Sequence, residues 1–319
     1  MKMPVVISLI FVLLFISACN SSDQPSAPLE EEVVLDLSDP QSPDQQSDDN
    51  YNTKQQPGPV PTKTITPSPE PTASPTPMPS PSPSPTTEPR RFLVDAMIFN
   101  GVGVNASNGQ ALIDLVASHG LSYEVIDSAK LNSMPLDQLL KYGVFVWPGG
   151  DANQMNSALT SETRVRVRQA VRQGVGYAGF CAGAWIAVGP DALNKAPYWG
   201  FAIASGDYLK VFYPLVPPPP DGFMVWVQFP DGSKRNVVWW QGPFLWKSLG
   251  SIIAKYADGS SAISETWSGL GYVTLSGVHT EAPQSWRDGI GLVDSDGLDL
   301  DIAWDMIDAA LKQRPLAAF

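Results

Sequence analysis

Two short stretches of the chain carry residue types that can do covalent chemistry together. In Gly179-Phe180-Cys181-Ala182-Gly183-Ala184 a thiol stands between two glycines, each two positions away. Small residues on both sides permit the sharp strand-to-helix turn of a nucleophile elbow, where larger side chains would clash. Such a turn presents the sulfur at the C-terminal edge of a sheet, and the N-terminus of the helix that follows favours its thiolate. The competing reading is a buried structural cysteine, since free cysteine commonly packs inside. In the second stretch, Ser276-Gly277-Val278-His279-Thr280-Glu281, a histidine follows an apolar run over 272–275 that reads as a strand. The C-terminal ends of neighbouring parallel strands share one edge, so this order sets His279 beside Cys181 as its base. Glu281 is then placed to orient and polarise the imidazole, as the third member of a triad. Otherwise His279 is a loop histidine and Glu281 a solvated acid.

Pro148-Gly149-Gly150-Asp151 ends another strand-like run, Val144-Phe145-Val146-Trp147. Glycines there let backbone N–H groups approach a ligand, and Gly149 and Gly150 with the N–H of Ala182 form a candidate oxyanion hole; a plain tight turn is the alternative. Trp240 and Gln241, in Trp239-Trp240-Gln241-Gly242-Pro243, are candidates for a pocket wall, although core packing is the commoner fate of paired tryptophans. His119, the other of two histidines, stands before Gly120 at a helix end, where it caps the helix. Two cysteines cannot make a disulfide scaffold, two histidines leave little room for a His-rich metal site, and no metal or cofactor is expected.

The elements that must position these residues alternate between strand and helix. Strands are expected over 92–99, 121–126, 144–147, 175–180 and 270–276. Helices are expected with Ala111, Leu112, Leu115 and Val116 on one face of the first, and over 160–173 with Val167, Ala170 and Val171 inward and its four arginines outward. A last helix carries Ile302, Ala303, Met306, Ile307 and Ala310. This order predicts an α/β fold with a doubly wound, mostly parallel sheet. Aromatic, β-rich runs around 200–246, with Pro217-Pro218-Pro219-Pro220 as a turn, are expected as an antiparallel insertion.

Composition divides the chain. It has 319 residues and a net charge of −12, and all ten tryptophans lie beyond residue 90. Residues 20–90 hold 17 of the 31 prolines and a net charge of −8, against −5 for residues 91–319. An acidic chain without a basic stripe argues against nucleic acid as a partner. Repeats such as Pro79-Ser-Pro-Ser-Pro-Ser-Pro85 favour polyproline II, so Pro57 to Pro89 is expected to form a semi-rigid stalk reaching on the order of 100 Å, a ligand motif for a Pro-binding module being the alternative. The acidic stretch before it is expected to stay solvated and disordered. Residues 1–19 have the weakly positive start and short apolar core of a signal peptide. Their end, Ile16-Ser17-Ala18-Cys19, resembles the lipobox of bacterial lipoproteins. That resemblance implies cleavage before Cys19, its acylation, and a chain held to a membrane of the cell envelope, outside the cytoplasm. An ordinary cleaved signal is the alternative.

Taken in order, Pro148-Gly149-Gly150-Asp151, Gly179-Phe180-Cys181-Ala182-Gly183-Ala184 and Gly277-Val278-His279-Thr280-Glu281 resemble the class I glutamine amidotransferase-like superfamily. With Trp240-Gln241-Gly242-Pro243 and Ala254-Lys255-Tyr256-Ala257-Asp258-Gly259, they resemble more narrowly the biotin–protein ligase N-terminal domain family. The likeness covers about residues 92–315, within a domain spanning 91–319, and implies a flavodoxin-like fold. Residue by residue it implies Cys181 as nucleophile, His279 as base, Glu281 as its orienting acid, and Gly149 and Gly150 in the oxyanion loop. The implied reaction is attack of a thiolate on an amide or related carbonyl of a small molecule or peptide, through a thioester. No ammonia-accepting synthetase region and no biotin-ligating domain is recognised beside it, so biotin transfer is not expected. A non-catalytic ligand-binding or scaffold module on the same fold is the alternative.

Overall fold

The computed structural model describes residues 91–191, 196–212, 222–289 and 291–319. The leader with Cys19, the linker at 20–90 and the Pro217–Pro220 turn lie outside the described residues. In chain order the first half comprises β1 (Val94–Phe99), α1 (Ala106–Ser118), β2 (Tyr123–Ile126), α2 (Ser128–Ser133), α3 (Leu136–Leu139), β3 (Tyr142–Trp147), α4 (Ala152–Ala158), α5 (Ser161–Arg172), β4 (Gly176–Phe180) and α6 (Ala182–Ala187). Short strands follow, β5 (Val188–Gly189), β6 (Ala204–Ser205) and β7 (Lys210–Val211), then β8 (Phe223–Gln228), β9 (Lys234–Trp239), β10 (Pro243–Phe244), β11 (Ser251–Tyr256), β12 (Ser261–Ser268) and β13 (Gly271–Ser276). Helices α7 (Gln284–Gly289) and α8 (Leu300–Lys312) complete the order.

The main sheet runs β2-β1-β3-β4-β13-β12-β11-β8-β9. Its first five strands are parallel, in the order expected of a doubly wound flavodoxin-like fold. Alternation along each parallel strand feeds two cores. Ala96, Ile98, Val144, Val146, Ala178 and Phe180 meet α1 and α8 on one face, while Met97, Phe99, Phe145, Trp147 and Tyr177 meet α5 and α6 on the other. Both faces of these strands are therefore covered, which is why they read as nearly continuous apolar runs.

Two expectations are adjusted. The antiparallel part is not confined to 200–246: β8, β9, β11 and β12 extend it to Ser268, and they continue the main sheet from β13. A buried antiparallel strand has the same apolar pattern as a buried parallel one, so only pairing separates them. Of the four arginines of α5, Arg168 is not outward; it is 1% exposed, within the field of Asp191. The α8 face is as expected, with Ile302, Ala303, Met306, Ile307 and Ala310 all buried. Ile307→Ala, at a site with no exposure, is expected to lower stability by about 2–5 kcal/mol through lost transfer energy and the cavity left behind. Urea unfolding followed by tryptophan fluorescence checks this.

Candidate functional site

The thiol sits on a strained turn. After Phe180 closes β4, Cys181 takes φ 46° and ψ −102°, a region that costs a side-chain-bearing residue energy. Its N–H donates to Ser276 O at the end of β13 (2.8 Å), which ties the turn to the neighbouring strand. Both flanking glycines are demanded by close approach. A Cβ on Gly183 would lie 2.3 Å from Trp147 O, and one on Gly179 would lie 2.8 Å from the Gly183 carbonyl. The sulfur, on a side chain 6% exposed, faces Trp240 O at 3.8 Å.

His279 and Glu281 leave β13 on the same edge and are almost fully buried, at 2% and 0% exposure. The His279 N–H donates to Val238 O (2.8 Å), a bridge that also draws the end of β9 to the site. Nδ1 of the ring lies 2.8 Å from Glu281 Oε1. Burial alone pushes the imidazole pKa down. The charges of Cys181 and Glu281, with the hydrogen bond to Glu281, outweigh it and raise the pKa to about 10. With Nδ1 engaged by Glu281, Nε2 is the nitrogen left for the thiol.

Asn108 was not singled out by its sequence. It is fully buried on α1, and its amide donates to Glu281 Oε1 while its Oδ1 accepts from Gly149 N at 2.7 Å. A signal was there: Asn108, Leu112, Leu115 and Val116 share one helical face, so a polar residue falls in phase with the core. Trp286 of α7 carried no such signal. Its ring lies 5.0 Å from that of His279 and 5.7 Å from that of Trp240.

The glycine loop corrects one expectation. The Gly149 N–H is taken by Asn108 and is not an oxyanion donor. Gly149 instead makes room for the His279 ring, since a Cβ there would lie 2.7 Å from His279 Cε1. Gly150, at φ 146°, faces the cleft, and its N–H has no acceptor among the described residues. The N–H of Ala182, first in α6, is likewise unengaged. Gly150 and Ala182 thus offer two free N–H donors among the described residues.

Two cavities meet at Cys181. One, about 680 Å³, is walled by Trp240 and Gln241 together with aromatic residues from 185–208. The other, about 450 Å³, reaches His279 and Trp286. Gly150, Asp151, Cys181 and Trp240 border both. Among the described residues no group of three or more His, Cys, Asp or Glu side chains is arranged to hold a metal ion. His119 lies away from this site; its Nδ1 is 2.9 Å from Leu115 O at the end of α1, and its ring stacks on Trp304 at 3.6 Å.

No family model matches the chain, and no curated protein matches it. Among solved structures it is similar to a chain of PurLQS from Thermotoga maritima, at 15% identity over 69% of this chain and 100% of that one, with a TM-score of 0.45. It is also similar to a glutamine amidotransferase from Thermotoga maritima, at 12% identity over 70% and 95%, with a TM-score of 0.42. A third similarity is to an exo-β-1,4-mannosidase from Opitutaceae bacterium strain TAV5, at 13% identity over 70% and 36%, with a TM-score of 0.36.

Because the folded pKa of His279 is raised from 6.5 to about 10, its protonated ring contributes stability that is complete below about 6.5 and lost as pH rises through about 10. In an NMR titration the His279 ring should change state near pH 10. Cys181→Ala removes the strongest upward influence and should move that midpoint down. An unmoved midpoint in the variant would refute the coupling.

Proposed function

We propose that this chain is a cysteine-nucleophile hydrolase of the class I glutamine amidotransferase-like superfamily, resembling most the biotin–protein ligase N-terminal domain family. It acts on an amide or related carbonyl of a small molecule or peptide. The observation that carries this reading is the convergence of Cys181, His279 and Glu281 at one sheet edge, with His279 bonded to Glu281 through Nδ1. The thiolate attacks the carbonyl carbon, and the N–H groups of Gly150 and Ala182 receive the developing oxyanion. His279 gives its proton to the departing nitrogen as the C–N bond breaks, leaving a thioester on Cys181. Water then attacks, His279 takes its proton, the C–S bond breaks and the carboxylic acid leaves. Glu281 holds the tautomer throughout, and Asn108 holds Glu281.

Profiling with a panel of amides and peptides tests this. Turnover should vanish in Cys181→Ala and fall by roughly 10²–10⁴ in His279→Ala, the usual worth of a positioned acid–base group. If Cys181 alkylates no faster than free cysteine and Cys181→Ala leaves all turnover unchanged, the reading fails, and a binding module on the same fold takes its place.

The setting proposed for this activity is the bacterial cell envelope, outside the cytoplasm, with a lipid on Cys19 and residues 20–90 as tether. Its support is the Ile16-Ser17-Ala18-Cys19 sequence and the acidic, Pro-rich stretch behind it. Metabolic labelling with a clickable palmitate analogue should mark the wild-type chain, and Cys19→Ser should abolish the label. A label that persists in Cys19→Ser excludes this attachment.

A further inference from the structure

Resting on the hydrolase reading of Cys181, we propose that the larger cavity selects substrates carrying an ammonium group and rejects those carrying a free carboxylate. Five aromatic side chains, Trp185, Tyr198, Trp199, Tyr208 and Trp240, line this 680 Å³ space beside the thiol. Trp199 and Tyr208 meet edge to face at 5.9 Å and 89°, and the Trp199 indole N–H donates to Asn153 Oδ1 at 3.2 Å, which fixes that wall. Aromatic faces carry negative partial charge and attract cations, most strongly where water is partly excluded.

Charge points the same way. Among the described residues that line the cavity, Asp151 is the one carboxylate, and no lysine or arginine joins it. Its Oδ1 accepts from the N–H groups of Asn153 (2.9 Å) and Gln154 (3.0 Å), and its Oδ2 accepts from the Gln154 side chain (2.9 Å). Hydrogen bonding from the Gln154 backbone outweighs burial and holds this carboxyl below the usual range, so it stays anionic. Oδ2, with a single donor, keeps capacity for a second. The positive charge of His279 faces the smaller cavity and is matched by Cys181 and Glu281. Among the described lining residues a free carboxylate entering the larger cavity would therefore meet Asp151 and no cation to offset it, whereas an ammonium would meet both rings and carboxylate.

Alkylation of Cys181 in the full chain reads this selectivity without knowledge of the natural substrate. Bromoacetylcholine, its uncharged isostere 3,3-dimethylbutyl bromoacetate, and iodoacetate each transfer their acyl-methylene carbon to the sulfur and release halide. Rates at the Cys181 peptide are measured by mass spectrometry and divided by those for free cysteine. The cationic reagent should exceed its isostere by about tenfold, in line with desolvated cation–π contacts reinforced by a carboxylate, and iodoacetate should be slowest. Asp151→Asn, whose amide still caps α4, and Trp199→Leu should each bring the cation's ratio toward that of the isostere. Equal ratios for cation and isostere would overturn the proposal, because the walls would then read apolar shape alone. So would a cation preference that survives both substitutions. The ratio between reagents is independent of the absolute rate, which bears on the reactive thiol itself. A slow Cys181 thus counts against the hydrolase, and a missing ratio counts against the cation site.

Discussion

Everything at the site hangs on the parallel pairing of β4 with β13. Their register sets Val273 opposite Tyr177 and Ser276 opposite Phe180, and the next backbone hydrogen bond joins Cys181 N to Ser276 O. Two parallel strands that end level must release their chains over the same edge. A cysteine and a histidine distant in the chain are thereby brought together by backbone geometry before any side chain is considered. β3, on the other side of β4, delivers Gly149 and Gly150 to that edge. The intervening chain returns as the antiparallel strands, and the bridge from Val238 to His279 brings Trp240 over the sulfur.

Burying three ionisable groups at such an edge is costly unless each finds a partner. Here the partners are mutual: Glu281 answers His279, Asn108 answers Glu281, and Asn108 also anchors the backbone at Gly149. The loop beyond Glu281 is held from behind. The fully buried Arg287 donates to Ala282 O at 2.7 Å, to Asp299 Oδ2 at 3.0 Å, and to Asp294 through Nε. Burial raises the Asp299 pKa to about 7 against the pull of Arg235 and Arg287, so the network spends much of its attraction on desolvation. Its contribution is to position more than to stability, since buried ion pairs often do no better than apolar side chains of the same volume.

Local sequence carried much of this. The spaced glycines around Cys181 announced the turn because each is needed for a specific backbone approach, at Gly183 to Trp147 and at Gly179 to Gly183 itself. The inner faces of α1, α5 and α8 followed from helical periodicity. Arg168 did not, because a long charged side chain within a helix carries no local mark of whether a neighbouring segment will cover it. β11 and β12 likewise looked like any other buried strands, since orientation is decided by the partner strand. The role of Gly149 went astray for a related reason: a glycine-rich loop advertises exposed N–H groups but not the distant acceptor that takes one of them.

The sequence by itself determined the periodicity of the elements, the turn that bends at Cys181, and which side chains are proposed as nucleophile, base and orienting acid. These depend on neighbours in the chain, through steric limits on φ and ψ and the spacing of apolar residues. Only the tertiary structure decided that Asn108 joins the glutamate to the glycine loop, that Gly150 rather than Gly149 keeps a free donor, and that five aromatic rings and Asp151 line the cavity beside the thiol. Each of those is a relation between segments far apart in sequence, set by the register of the sheet and the helices packed on its faces.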